Sequence, residues 1–241
     1  MPPVYKVLAF LYPTADILDF SGPIEVFSTN PPPGTPHSFE ITTFAHSTSV
    51  KAAAGALTYH PDILFSTAKT QLEKYDILLV PGAHPDFLVK YLDSKEGKEF
   101  TALVARFAGL MPCPKTKTDG GGHRIVFSVC TGAFFLAAAG ILNGRTVTTH
   151  HMGLETIKMI ADQAAGGESG IQVVRKRWVD AGVTEQEVRI VTAGGVTSGL
   201  DASLWVVETV AGKQVADWVA EIVEFERREQ EDGWGVEEAR R

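Results

Sequence analysis

One stretch constrains what this chain can fold into more than any other: Arg124-Ile-Val-Phe-Ser-Val-Cys130-Thr131-Gly132, continued by Ala133-Phe-Phe-Leu-Ala-Ala-Ala139-Gly140. Ile125, Val126, Phe127 and Val129 read as a short strand buried on both faces, as in parallel sheets. The small apolar residues from Ala133 to Ala139 read as a buried helix. Only Cys130, Thr131 and Gly132 separate them, so the strand turns into the helix without a loop. Such a joint holds a side chain at the carboxyl end of a sheet, on a tight turn beside a helix N-terminus. That is a nucleophile elbow, here with sulfur in the reactive position. The helix dipole and its free N–H groups are expected to lower the Cys130 pKa. A buried structural cysteine is the competing reading.

The rest of the chain alternates in the same way. Residues 5–12 read as the first central strand, 39–45 as a second, and 76–80 as a wholly apolar parallel strand. Residues 146–151 read as a strand with His150 and His151 at its end, and 173–179 and 188–192 as further strands. A helix is expected from Pro23, placed in its first turn, to about Thr29. Further helices are expected over 87–92, 99–110 and 154–165, and from the Gly-rich 193–201 turn to about Ala211. Residues 57–61 suit one part of a small hairpin, and 30–36 a Pro-rich loop. Residues 111–123 form a Pro/Gly/Lys surface excursion in which Cys113 is expected to be inert. This order predicts a three-layer, doubly wound α/β domain with a mostly parallel sheet. The domain is expected over 1–215, with an amphipathic helix and a charged tail over 216–241 that frays from Gly233 onward.

Composition narrows the function. A chain of 241 residues makes one domain with appendages. Its hydrophobic fraction of 44% and charged fraction of 21% are those of a globular protein. The net charge of -7 argues against a nucleic-acid or membrane-surface role. Two distant cysteines make no disulfide framework. No apolar run is long enough for a bilayer, and no basic, then apolar, leader opens the chain. A cytoplasmic location is expected.

Three strand ends converge on one crevice: Asp16 and Asp19 in the loop after the first strand, the Pro81-Gly82-Ala83 turn, and Cys130. The carboxyl ends of strands are where α/β sheets place their chemistry. Asp19 has a bland alternative as a helix cap, but sharing a crevice with Cys130 favours catalysis. Glu25 reads as structural, His84 as an exposed turn residue, and Asp201 as the holder of a turn or helix start. A metal site on His150 and His151 is disfavoured, because neighbours on a strand point to opposite faces. The glycines at 194, 195 and 199 lack dinucleotide-fingerprint spacing. No metal and no cofactor are expected.

Five motifs stand in order: Leu18-Asp19-Phe20-Ser21-Gly22-Pro23, Val80-Pro81-Gly82, Ser128-Val129-Cys130-Thr131-Gly132, Thr148-Thr149-His150, and Gly195-Val196-Thr197-Ser198-Gly199-Leu200-Asp201. Together they resemble the ThiJ/PfpI superfamily, of the flavodoxin-like, class I glutamine amidotransferase-like fold, over roughly residues 7–211. Within it, Asp before Gly-Pro and Thr after Cys most resemble isocyanide hydratases, and also the amidase-like sensor domains of transcription regulators. The resemblance implies Cys130 as nucleophile and Asp19 as the acid that bonds it and moves protons. It implies Thr131 as the polar residue after the nucleophile, its N–H an oxyanion donor. Gly82 and Ala83 would flank the oxyanion, with Ala83 standing where a second Gly is usual. His150 matches a histidine near the Cys, Val196 falls on the substrate side, and His151 replaces an expected Trp.

The activity implied is hydration of an isocyanide to an N-substituted formamide through a Cys130 thioimidate, with a small-molecule substrate and a homodimer. The runner-up is a cofactor-independent glyoxalase- or deglycase-like enzyme on 2-oxoaldehydes, with His150 as base. A non-catalytic redox- or ligand-sensing module is the third reading. Its regulator version needs an appended DNA-binding domain, for which little chain follows Ala211.

Overall fold

The computed structural model describes residues 4–111 and 124–235. The first half runs β1 (Tyr5–Phe10), α1 (Ile17–Ser28), β2 (Phe39–Ala45), β3 (Val50–Ala52), β4 (Leu57–Tyr59), β5 (Ile63–Leu64), α2 (Phe65–Thr70), β6 (Ile77–Val80), α3 (Pro85–Asp93) and α4 (Lys95–Ala108). The second half runs β7 (Ile125–Ser128), α5 (Ala133–Ala138), β8 (Thr146–Val147), α6 (Leu154–Ala165), β9 (Gln172–Val173), β10 (Trp178–Val183), β11 (Arg189–Ala193), α7 (Ser198–Ala211) and α8 (Lys213–Ile222).

The main sheet has the order β10-β11-β7-β6-β1-β2-β5. Its neighbours pair in parallel except β10 with β11 at one edge. Val7, Leu8, Ala9 and the whole of β6 and β7 are buried, which is why these runs carry no polar alternation. Helices α1, α7 and α8 pack together, as do α3, α4, α5 and α6. Two helical layers thus enclose the sheet, the doubly wound arrangement the sequence predicts. Phe10 stacks on Phe100 at 3.7 Å between ring centroids, and Phe135 meets Phe100 edge-on at 4.8 Å. These rings tie β1 to α4 and α5. From β1 the chain winds outward to β2 and β5, then crosses back to β6, β7 and β11. The crevice at that reversal lies between the carboxyl ends of β1 and β6. No helix among the described residues is long and apolar enough to cross a membrane.

Local structure departs from expectation in ways that matter for the site. Helix α1 begins at Ile17, with Pro23 inside it. Proline there removes one i→i−4 hydrogen bond and crowds the preceding turn, a local cost that the buried Phe20, Val26 and Phe27 of the same helix offset. Asp16 therefore takes the N-cap position and Asp19 the first turn; Asp19 is not in a loop. Strand β8 stops at Val147, and His151–Gly153 form a 3-10 turn, so the two histidines do not alternate across a strand. The run over 173–179 is split between β9 and β10. Helix α2 was not foreseen. The excursion with Cys113 lies outside the described residues apart from Met111, as does the tail beyond 235.

Candidate active site

Cys130 joins β7 to α5 with φ +58, in the left-handed region. A non-glycine residue there costs on the order of 1–2 kcal/mol and persists only when its surroundings over-determine it. They do. The Cys130 N–H donates to Gly194 O at 2.9 Å, and Thr149 Oγ1 donates to Cys130 O at 2.8 Å. Two residues on, a Cβ at Gly132 would lie 2.2 Å from Val80 O, so only glycine lets the helix start against β6.

The turn after β6 forms the floor. The Gly82 N–H donates to Asp19 Oδ2 at 2.9 Å, and the Asp16 N–H donates to Gly82 O at 2.9 Å. Thr131 Oγ1 donates to Ala83 O at 2.6 Å and accepts the Ala83 N–H at 3.0 Å. A Cβ on Gly82 would lie 2.7 Å from both the N and Oγ1 of Thr131. Of the two expected oxyanion donors, the Ala83 N–H is engaged by the Thr131 hydroxyl, while the Thr131 N–H acts on Cys130; the neighbouring Gly82 N–H is held by Asp19. The Thr131 side chain is a tie between elbow and floor. The N–H groups that favour a Cys130 thiolate are those of Thr131 and Val196.

Burial sets the electrostatics. Asp19 is fully buried, and burial above all, then the charge of Asp16, pushes its pKa up to about 8 against the Gly82 N–H and the Cys130 thiol. At neutral pH it carries a proton. Burial, followed by the charge of Asp19, also pushes the Cys130 thiol well up, beyond what the Thr131 and Val196 N–H groups offset. This reverses the expected lowering. The thiol residue is 2% exposed and α5 has only six residues, so desolvation outweighs the helix dipole. Donor atoms of Asp16, Asp19 and Cys130 lie within 4.8 Å of one another, so ionising one opposes ionising the next and the group titrates as a unit. Asp19 Oδ1 is buried without a hydrogen-bond partner among the described residues. The thiol is near enough to favour the carboxylate, yet no contact between them has hydrogen-bond geometry. The same three residues could converge on a cation, but an environment that retains the protons of Asp19 and Cys130 disfavours it.

Beside the elbow lies a cavity of about 240 Å³ whose wall includes His150, His151, Leu154, Val196, Thr197 and Trp234. Cys130 is not part of that lining, but the N–H of Val196, which is, favours its thiolate. The His150 ring seats on Gly195, where a Cβ would be 2.2 Å from Cδ2. Its Nδ1 accepts the Met152 N–H at 3.3 Å. Burial first, then His151 and His84, hold its pKa down, so the ring is neutral at physiological pH. His151 is exposed, with its ring 4.3 Å from that of His150. His84 is exposed, as expected; burial raises the Asp16 pKa, only partly offset by His84. Glu25 is exposed on α1.

Asp201 does more than hold a turn. It is buried, receives the Arg177 Nε at 2.9 Å, and accepts the Arg228 N–H at 2.8 Å. That bond brings the C-terminal tail to the cavity and with it Trp234, a residue sequence reasoning passed over. The available signal was a Trp between two glycines, Gly233 and Gly235, in an otherwise charged tail.

Residues 114–209 match the DJ-1/PfpI family. An uncharacterised protein from the cpoL 5' region of Streptomyces lividans is 30% identical over 146 residues, which are 61% of this chain and 87% of that protein. Isonitrile hydratase of Pseudomonas putida is 33% identical over 112 residues, 45% of this chain and 41% of that enzyme. Among solved structures, a ThiJ/PfpI family protein from Pseudomonas syringae superposes with a TM-score of 0.67 at 24% identity, covering 94% of this chain and 77% of that one. That likeness carries the fold.

Proposed function

The chain belongs to the DJ-1/PfpI family, and on that premise we propose that it hydrates an isocyanide to an N-substituted formamide through Cys130. The observation that carries this reading is a buried carboxylic acid, Asp19, held neutral to about pH 8 beside a buried thiol. Nucleophilic attack on an isocyanide carbon needs a proton delivered to that same carbon, and a neutral thiol–acid pair supplies both. The Cys130 sulfur bonds to the terminal carbon as the thiol proton passes to that carbon, directly or by exchange through Asp19, giving R–N=CH–S–Cys130 with Asp19 protonated. Asp19 then gives its proton to the nitrogen and takes one from water as the oxygen adds to the same carbon, giving R–NH–CH(OH)–S–Cys130. The C–S bond breaks as the hydroxyl proton passes to sulfur through Asp19, and R–NH–CHO leaves. The sum is one isocyanide plus one water. The Thr131 and Val196 N–H groups stabilise the sulfur whenever it carries charge.

Access favours the same substrate. A thiol 2% exposed is poorly placed for a branched carbonyl, whereas R–N≡C is linear and presents its terminal carbon end-on. The likeness to isonitrile hydratase of Pseudomonas putida, 33% identical over 112 residues, supports the reading.

The test is formamide formation from an isocyanide by wild type, Cys130→Ser and Asp19→Asn, with methylglyoxal run in parallel. Wild type is expected to release the formamide, Cys130→Ser to release none, and Asp19→Asn to accumulate the thioimidate, visible as a mass adduct on Cys130. Consumption of methylglyoxal but not isocyanide, or wild-type rates in Asp19→Asn, would overturn the assignment.

A further inference from the structure

The segment beyond α8 is fastened at several points up to Gly233, where fraying was expected to begin. Beyond α8, the Arg228 N–H donates to the buried Asp201, the Arg177 N–H donates to Gln230 O at 2.8 Å, and Gln230 Nε2 donates to Trp178 O at 2.9 Å. Lys176 Nζ meets Glu231 Oε1 at 2.6 Å. Gly233 is buried so closely that a Cβ there would lie 2.5 Å from Arg175 O. Fixing irregular backbone in this way is entropically costly, and what these contacts fix is the position of Trp234.

Trp234 is 72% exposed, a large apolar side chain held in water on an immobilised segment. It lines the cavity described above, with its ring 6.0 Å from that of His151, which in turn lies 4.3 Å from His150. Val196, whose N–H favours the Cys130 thiolate, is also in the lining. On the hydratase reading, a substrate whose carbon reaches the sulfur past Val196 has its substituent in this cavity, alongside the histidines and Trp234. At about 240 Å³ the space exceeds the ~150 Å³ that admits a benzene ring.

We propose that Trp234 is a specificity-determining residue, and that the slot it forms with His150 and His151 takes a flat, aromatic substituent on the substrate. The slot deepens the hydratase reading by naming the substrate class, and rests on that reading only for the bond that is made.

The test compares KM for phenyl isocyanide and methyl isocyanide in wild type, Trp234→Ala and Trp234→Phe. Aromatic contacts of this kind correspond to about a tenfold change in binding. Trp234→Ala should raise KM for the phenyl compound about tenfold, move that for the methyl compound less than twofold, and leave kcat within about twofold. Trp234→Phe should recover most of the loss. Equal shifts for both substrates, or none, would overturn the proposal. A second measurement needs no chemistry: binding of N-phenylformamide to Cys130→Ser, read by calorimetry, with and without Trp234→Ala. If wild type turns over no isocyanide yet Trp234→Ala weakens this binding about tenfold, the slot stands and the reaction assignment falls. Unchanged binding sinks the slot whatever the reaction.

Discussion

The elbow is bonded to two residues of the cavity wall, Thr149 and Gly194, and the C-terminal tail supplies Trp234 to the same wall, yet the two are held by different physics. The elbow is fixed by hard contacts: a strained φ at Cys130, and a glycine at 132 that no other residue can replace. The tail is fixed by charge and hydrogen bonds to Asp201, Arg177 and Lys176. Steric fixation fails all at once, whereas polar fixation can be dissected bond by bond. The proposed nucleophile sits on the first kind and the proposed selector on the second.

That contrast breaks most sharply at Gly132. Gly132→Ala drives a methyl group into Val80 O and Pro81, and the loss is expected to exceed about 4 kcal/mol. Soluble expression and urea unfolding measure it; a variant of wild-type stability would mean the elbow is not sterically determined. On the tail side, Asp201→Ala leaves Arg177 buried without its counter-ion. It should cost about 3–5 kcal/mol and expose the tail to limited proteolysis near Arg227 and Arg228.

Asp19 gives a pH signature. Its pKa is raised in the folded protein, to about 8 from 3.8, so its contribution is fully present below pH ~4 and is lost as pH rises through ~8. Between these values the folded state holds a proton the unfolded state has released. Wild-type stability should therefore fall with pH, relative to Asp19→Asn, by up to about 1.4 kcal/mol per unit. Parallel curves for the two proteins over pH 5–7 would show that Asp19 is ionised. The smallest effect is expected at Glu231→Gln, which removes a partly exposed ion pair with Lys176 and should cost under about 1 kcal/mol.

What was legible in the sequence follows the same division. The elbow could be read directly because an apolar run, Cys-Thr-Gly and a second apolar run are contiguous. Asp19 was identified, but Gly22-Pro23 looked like a helix start and displaced it into a loop. The direction of the Cys130 pKa was missed because helix proximity is local information and depth of burial is not. The engagement of the Ala83 N–H by Thr131 joins residues 48 apart. The tail was the least legible. Arg177, Asp201 and Arg228 are each 24 or 27 residues from their partner, so a pinned strap looks like a solvated run of charge until the fold assembles it.

The seat of His150 on Gly195 has a consequence for how this protein can change over generations. With ring carbon Cδ2 only 2.2 Å from where a Cβ would stand, any larger residue at 195 forces the histidine ring out of its seat. The reverse order is open: a smaller side chain at 150 clears the space first. The two positions are therefore coupled, and the effect of a change at one depends on whether the other has already occurred. Descendants that reshape this cavity without displacing the ring pass through a loss at 150 before a gain at 195, which makes the path directional.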